Sequence, residues 1–325
     1  MDFLFIFAII FLKITPLEPS PYQENPETPF QETPEPVPVL VFTFLLFTLI
    51  GGALLGSIAG MGIASMAGYD FQTFLTEFSD ADTLGDRNLV RSITLANHVF
   101  TFLLPGLFVA WYFYKKDWFN FLKIEHLPRF NNVINAGLLI MVAFPFAQLT
   151  YWINSQVPLP DFLGSMEDST EGLIKGLLVM NSPAELIFNL VIIALLPALA
   201  EEIIFRGIVQ TTLEKWLKNP IKAIWLAAFI FSFIHFQFEG FLPRMVLGAL
   251  LGYLFFWTKN LWIPVFAHFI NNGVQVLAAY WYPEQLEALE PESMDSSVWI
   301  SGLISLVLTL ALAWYIKKQN KIEES

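Results

Sequence analysis

The chain has no cysteine. That excludes disulfides, a thiol nucleophile and any thiolate metal site, and it leaves the redox compartment open. Charge is scarce too. Only 14% of the 325 residues are Asp, Glu, Lys or Arg, against about 25% in soluble domains. No basic patch marks a nucleic-acid partner, and the net charge of −12 gathers in particular loops, so it informs topology. No internal repeat is evident, and no His-Glu-x-x-His helix occurs. What remains is apolar: 55% hydrophobic, with 33 Phe and 10 Trp. These features predict an all-α polytopic membrane protein, with about eight transmembrane helices around an intramembrane polar cavity.

Residues 3–12 are apolar but too few to span, since a transmembrane helix needs about 20 residues. A Pro/Glu-rich tract follows, with eight prolines from Pro16 to Pro38, so residues 1–38 read as a weakly ordered leader. Spans are expected at 39–67, 92–114, 133–153, 185–206, 221–238, 243–258, 261–280 and 297–316. They group as N-terminal transmembrane helices (39–153), a transmembrane core (185–280), and a last loop, final helix and tail (281–325). The first span carries Gly51, Gly52, Gly56, Gly60 and Gly62, a spacing that lets helices approach closely.

Loop charge alternates. Residues 115–130 hold four basic and two acidic residues, and 206–222 hold four and one. The intervening loops 68–91, 154–185 and 281–296 are acidic, with five acids each. Basic loops face the cytosol, which predicts an integral protein of the cell membrane with both termini cytosolic. Residues 115–130, rich in Trp, Phe and Lys, are expected to lie as an amphipathic helix on that face. His98 and His126 read as structural or interfacial.

Polar residues inside the spans are few. Glu201 and Glu202 stand side by side in an apolar run, and a carboxylate at bilayer depth is costly unless it is paired or used. Arg206 lies four residues past Glu202, a favourable ion-pair spacing. Glu201 has no cation within a helical turn, and Pro197, four residues upstream, is expected to kink the helix. His235 ends the apolar run beginning at Phe231. His268 and Asn272 share a helix face. Counting about 1.5 Å per residue puts Glu202 and His235 each ~25 Å from the turn at Asn219-Pro220, and His268 ~12 Å from the turn at Asn260. That sets Glu201, His235, His268 and Asn272 at one level if the first hairpin projects ~12 Å farther into the cytosol. The expected picture is a single cavity open to the cytosolic side.

Glu-Glu-x-x-x-Arg at 201–206, Phe-x-x-x-His at 231–235 and His-x-x-x-Asn at 268–272, in order on separate spans, resemble the intramembrane CAAX-processing and bacteriocin-processing endopeptidases. The resemblance covers roughly residues 185–280 and implies peptide-bond hydrolysis on a membrane-associated peptide or protein substrate. In that reading Glu201 and His235 hold and deprotonate a water, and His268 and Asn272 serve the oxyanion. Glu202, Arg206 and Phe231 support them. The best reading requires no cofactor. Zinc stays open, with Glu201, His235 and His268 as its ligands, although Asn272 is a poor zinc ligand. The rival functions are a non-catalytic immunity or scaffold protein of the same fold and, ranked below it, an ion-coupled transporter.

Overall fold

The computed structural model describes residues 35–69, 83–160, 174–283 and 296–322. The leader expected at 1–38 falls almost wholly outside the described residues. From Pro36 on, the helical segments of 14 residues or more are α1 (Pro38–Met66), α2 (Leu84–Leu122), α3 (Phe130–Ser155), α4 (Pro183–Leu217), α5 (Pro220–Phe233), α6 (Phe241–Thr258), α7 (Trp262–Trp281) and α8 (Ser296–Ile322). No strand occurs among the described residues, so the all-α expectation holds. Six of the eight are long and apolar enough to cross a membrane alone. The expected count of about eight spans matches the eight helical segments, of which two are marginal as spans. α5 has 14 residues, about 21 Å of helix against a hydrocarbon core of about 30 Å. α7 is long enough, but His268, Asn271, Asn272 and Gln275 dilute its apolar character.

The helix ends alternate between two faces. At one end the chain near Lys123 meets the α6–α7 turn, where the Leu261 N–H donates to Lys123 O and Asn260 Nδ2 donates to His126 O. The starts of α3 and the end of α8 meet there through Asn132 and Asn320. At the other end Asn154 closes α3 onto the 234–240 connection, donating to Phe238 O and accepting from Leu242 N–H. The lysine-bearing turns thus share one end, as the loop charges predicted.

α4 is the central helix. Of its most apolar window, 61% is buried, against 22–39% in the other five apolar spans. The glycine stripe on α1 works as expected at three positions. A Cβ at Gly52, Gly56 or Gly60 would meet Phe100 O, Asn97 or Ile93 of α2. Gly51 and Gly62 face open space instead. On α6, Gly248 and Gly252 do the same against α4 and α5.

The amphipathic surface helix expected at 115–130 is not what forms. Its helical part is a 3-10 turn at Lys115–Asp117 and the short Trp118–Leu122, and Leu122 is fully buried, with Gly207 of α4 leaving the space for it. Trp118 and Phe121 pack inward on the core around α4. Nor is 84–91 a loop. Thr83 Oγ1 accepts the Asp86 N–H and starts α2 there, with Arg87 and Arg91 buried on Glu185 at the head of α4.

Candidate active site

α4 is not a uniform α-helix. π-helical turns at Leu190–Leu195 and Ile203–Gln210 flank the short α-helical stretch Leu196–Glu202. The first has a cause in the sequence. Pro197 has no N–H, so the carbonyl four residues back, Ile193 O, loses its helical donor. The helix widens before the proline, and Asn272 Nδ2 of α7 donates to Ile193 O at 3.2 Å. The proline expected to kink the helix thereby provides an anchor for a motif residue from another helix. The second π turn holds Arg206, and Thr211 Oγ1 donates back to Arg206 O at its end.

The motif carboxylates and one histidine form a continuous buried chain. Arg206 donates to Glu202 Oε1 at 2.7 Å and to Gly248 O of α6 at 2.8 Å. The same Glu202 oxygen lies 2.8 Å from His268 Nδ1. His268 Nε2 lies 3.9 Å from Glu201 Oε2. Glu202 is fully buried and Arg206 and His268 nearly so, while Glu201 keeps 8% exposure. The spacing argument for a Glu202–Arg206 ion pair holds, but Glu202 does more than pair with arginine: it also fixes His268. Phe231 sits at the centre of this group. Its ring meets His235 at 4.9 Å, His268 at 6.0 Å and Phe205 at 5.0 Å, all near edge-to-face, with the Arg206 guanidinium 5.0 Å over its face.

Glu201, His235, His268 and Asn272 all line one cavity of about 360 Å³, within the range of ligand pockets, ~300–1,000 Å³. His235 Nδ1 lies 2.6 Å from Phe231 O, so that nitrogen carries the proton and Nε2 is left as an acceptor. Asn272 accepts from Asn271 Nδ2 and spends one N–H on Ile193 O.

The expected opening is corrected. The cavity runs from Ile140 and Leu251 at mid-helix up to Gln237, Gly240 and Pro243 in and beside the α5–α6 connection. That is the end opposite the lysine-bearing turns. With those turns taken as cytosolic, the cavity opens away from the cytosol. The depth count gathered these four residues around one cavity, and all four line it, although α5 stops at Phe233 and His235 lies in the connection.

Sequence reasoning missed two features. Arg244 lines the cavity, held by Gln237 through its side-chain and backbone oxygens. Its signal was available, as an arginine in the first turn of an otherwise apolar helix. The second is the Arg87–Glu185–Arg91 cluster, which Asn189 completes by accepting from Arg91 Nε. Nothing local in the sequence pairs residues this far apart in the chain.

A metal would need three donors converging. Among the described residues no three His, Asp or Glu side chains do so. The Nδ1 contacts of His268 with Glu202 and of His235 with a backbone carbonyl leave both Nε2 atoms free, as the outer partners of metal-bound histidines do. What is missing is convergence, since Glu201, His235 and His268 are not gathered as a three-donor group.

Buried ionisable groups on apolar helices, joined between α4 and α7 beside a cavity, define a membrane-embedded protein. Residues 183–274 match the family described as "Type II CAAX prenyl endopeptidase Rce1-like". The chain is 34% identical over 90 residues to the uncharacterized protein YpbD of Bacillus subtilis, covering 26% of this chain and 43% of YpbD. It is 28% identical over 100 residues to the membrane-embedded CAAX protease MroQ of Staphylococcus aureus, covering 29% of this chain and 40% of MroQ. The chain thus spans less than half the length of these relatives. No solved structure matches it significantly.

Proposed function

We propose that the chain is an intramembrane endopeptidase that hydrolyses a peptide bond of a membrane-associated substrate. The observation that carries this is the chain Arg206–Glu202–His268–Glu201, buried and ending on a cavity. In this reading Glu201 is the general base. It takes a proton from a water whose oxygen attacks the peptide carbonyl carbon, and later delivers that proton to the leaving amine as the C–N bond breaks. His235 Nε2 accepts from the same water and orients it. The developing oxyanion receives hydrogen bonds from His268 Nε2 and from the second N–H of Asn272, each commonly worth ~3–4 kcal/mol in the transition state.

In this scheme His268 donates from Nε2 while its Nδ1 is held on Glu202. Glu202 then plays the part of an orienting carboxylate behind a histidine, and Arg206 holds that carboxylate in place.

No metal enters this scheme, and activity is expected to persist through prolonged chelation. A cell-membrane location with both termini on the cytosolic side completes the proposal, resting on the lysine-bearing turns. Purified protein in lipid nanodiscs, offered a quenched peptide library, tests it. Cleavage that survives chelation and disappears in Glu201→Gln is the expected result. No cleavage of any peptide, with an immunity or scaffolding phenotype intact in Glu201→Gln, would favour the non-catalytic rival.

A further inference from the structure

A second cavity, of about 500 Å³, lies at the opposite end of the helices from the Glu/His site. Ends of four helices border it. Asn120, Phe121 and Lys123 come from the end of α2, Thr211, Glu214 and Lys215 from the end of α4, Pro220 from the start of α5 and Phe256 from the end of α6. Lys259 stands just beyond Phe256, its ammonium 4.1 Å over that ring, and Lys123 lies 4.7 Å over the neighbouring Phe255. Lys123 and Lys215 line the cavity with one acid, Glu214, whose Oε1 accepts from Gln210, and Lys259 adds its charge beside Lys123.

Two of these lysines hold unusual backbone. Lys123 (φ 57°) and Lys259 (φ 51°) both sit in the left-handed region directly after a helix end. Glycine is the usual occupant there, so lysine accepts a conformational cost in return for a cation at that place. The gathering is also costly electrostatically. Burial, and then the like charge of Lys259, push the Lys123 ammonium down to about 8. Three of the four helix ends here are C-terminal and give an anion no help, while α5 presents its N-terminus at Pro220, so the attraction rests mainly on the ammonium groups.

The level of the cavity indicates its ligand. Trp216, 52% exposed beside Lys215, and the aromatic walls place it where aromatic belts meet the headgroup region. Basic pockets between transmembrane helices on this side of a bilayer hold anionic headgroups. We propose that this cavity binds a phosphate group, that of an anionic phospholipid of the leaflet at the lysine-bearing end, through Lys123, Lys215 and Lys259. The proposal stands apart from the peptidase reading and survives if that reading fails.

The test is thermal unfolding of the full chain in phosphatidylcholine nanodiscs with increasing phosphatidylglycerol, each variant compared with its own baseline. Wild type should show a saturable rise in melting temperature. Lys123→Gln, Lys215→Gln and Lys259→Gln should each weaken the apparent affinity roughly fivefold, the effect of one interfacial cation. The tail variant Lys317→Gln/Lys318→Gln removes two charges from the same end outside the cavity and should leave it unchanged. If the tail variant loses as much as the cavity variants, the effect is bulk surface charge and the proposal fails. It fails equally if no variant differs from wild type. A control arm adds inorganic phosphate to neutral nanodiscs, and stabilisation there without a response to phosphatidylglycerol would overturn the lipid assignment.

Discussion

Glu202→Gln probes the network at its centre. The wild-type carboxylate is fully buried and one of its oxygens serves both Arg206, at 2.7 Å, and His268, at 2.8 Å. Glutamine keeps the shape and an acceptor oxygen but removes the charge, leaving the Arg206 guanidinium with Gly248 O and the Phe231 face as its remaining partners. A buried charge deprived of its counter-ion costs about 3–5 kcal/mol. At roughly 2–4 °C per kcal/mol for a chain of this size, melting should drop by about 6–20 °C. Arg206→Met in the same chain removes the orphaned charge and should restore much of that loss, because an apolar replacement of a whole buried ion pair is often neutral. Activity should not return with it, since His268 has lost the carboxylate that orients it. The assay is detergent-solubilised melting beside peptide cleavage for the wild type, the single and the double variant. Wild-type melting in Glu202→Gln, or a double variant no more stable than the single, would refute the reasoning.

Three further outcomes follow from other parts of the structure. Glu185→Gln leaves Arg87 and Arg91 without the carboxylate they share at 2.8 Å each, so it should lower the melting temperature by an amount similar to Glu202→Gln, although it lies outside the cavity. Pro197→Ala returns a backbone N–H that competes for Ile193 O, so Asn272 should loosen; we expect a lower cleavage rate with melting unchanged or raised. Lys123 is held at about 8, below its ordinary 10.5, by burial and by Lys259, with Lys215 adding to the depression and Glu214 opposing it. Between those pH values the unfolded chain holds the extra proton, so the Lys123 contribution makes stability rise with pH from about 8 to 10.5 in neutral lipid. Thermal melts across that window should show the rise flattened in Lys123→Gln.

Much of the site was legible because polar side chains are rare in apolar helices. Glu201, Glu202, Arg206, His268 and Asn272 stood out by type and spacing, and the structure brings them to one place. The alternating loop charges likewise anticipated which turns share an end. What the sequence hid has physical causes. Counting rise per residue assumes a regular helix, whereas α4 carries two π turns and α5 ends before His235. Amphipathic composition at 115–130 suggested a surface helix, but Leu122 is drawn inward by the space that Gly207 leaves. Long-range partners such as Arg91 and Glu185 leave no periodic trace at all.

The most direct test of the central claim is the cleavage rate of Glu201→Gln, measured beside its melting curve in the same lipid. Glu201 keeps a small exposure to the cavity and faces His268 at 3.9 Å. Glutamine there removes the base without orphaning Arg206. General-base catalysis is typically worth 10²- to 10⁴-fold. The account predicts a cleavage rate lower by roughly that factor, with melting within a few degrees of wild type. Near-normal cleavage by a well-folded Glu201→Gln protein would contradict it.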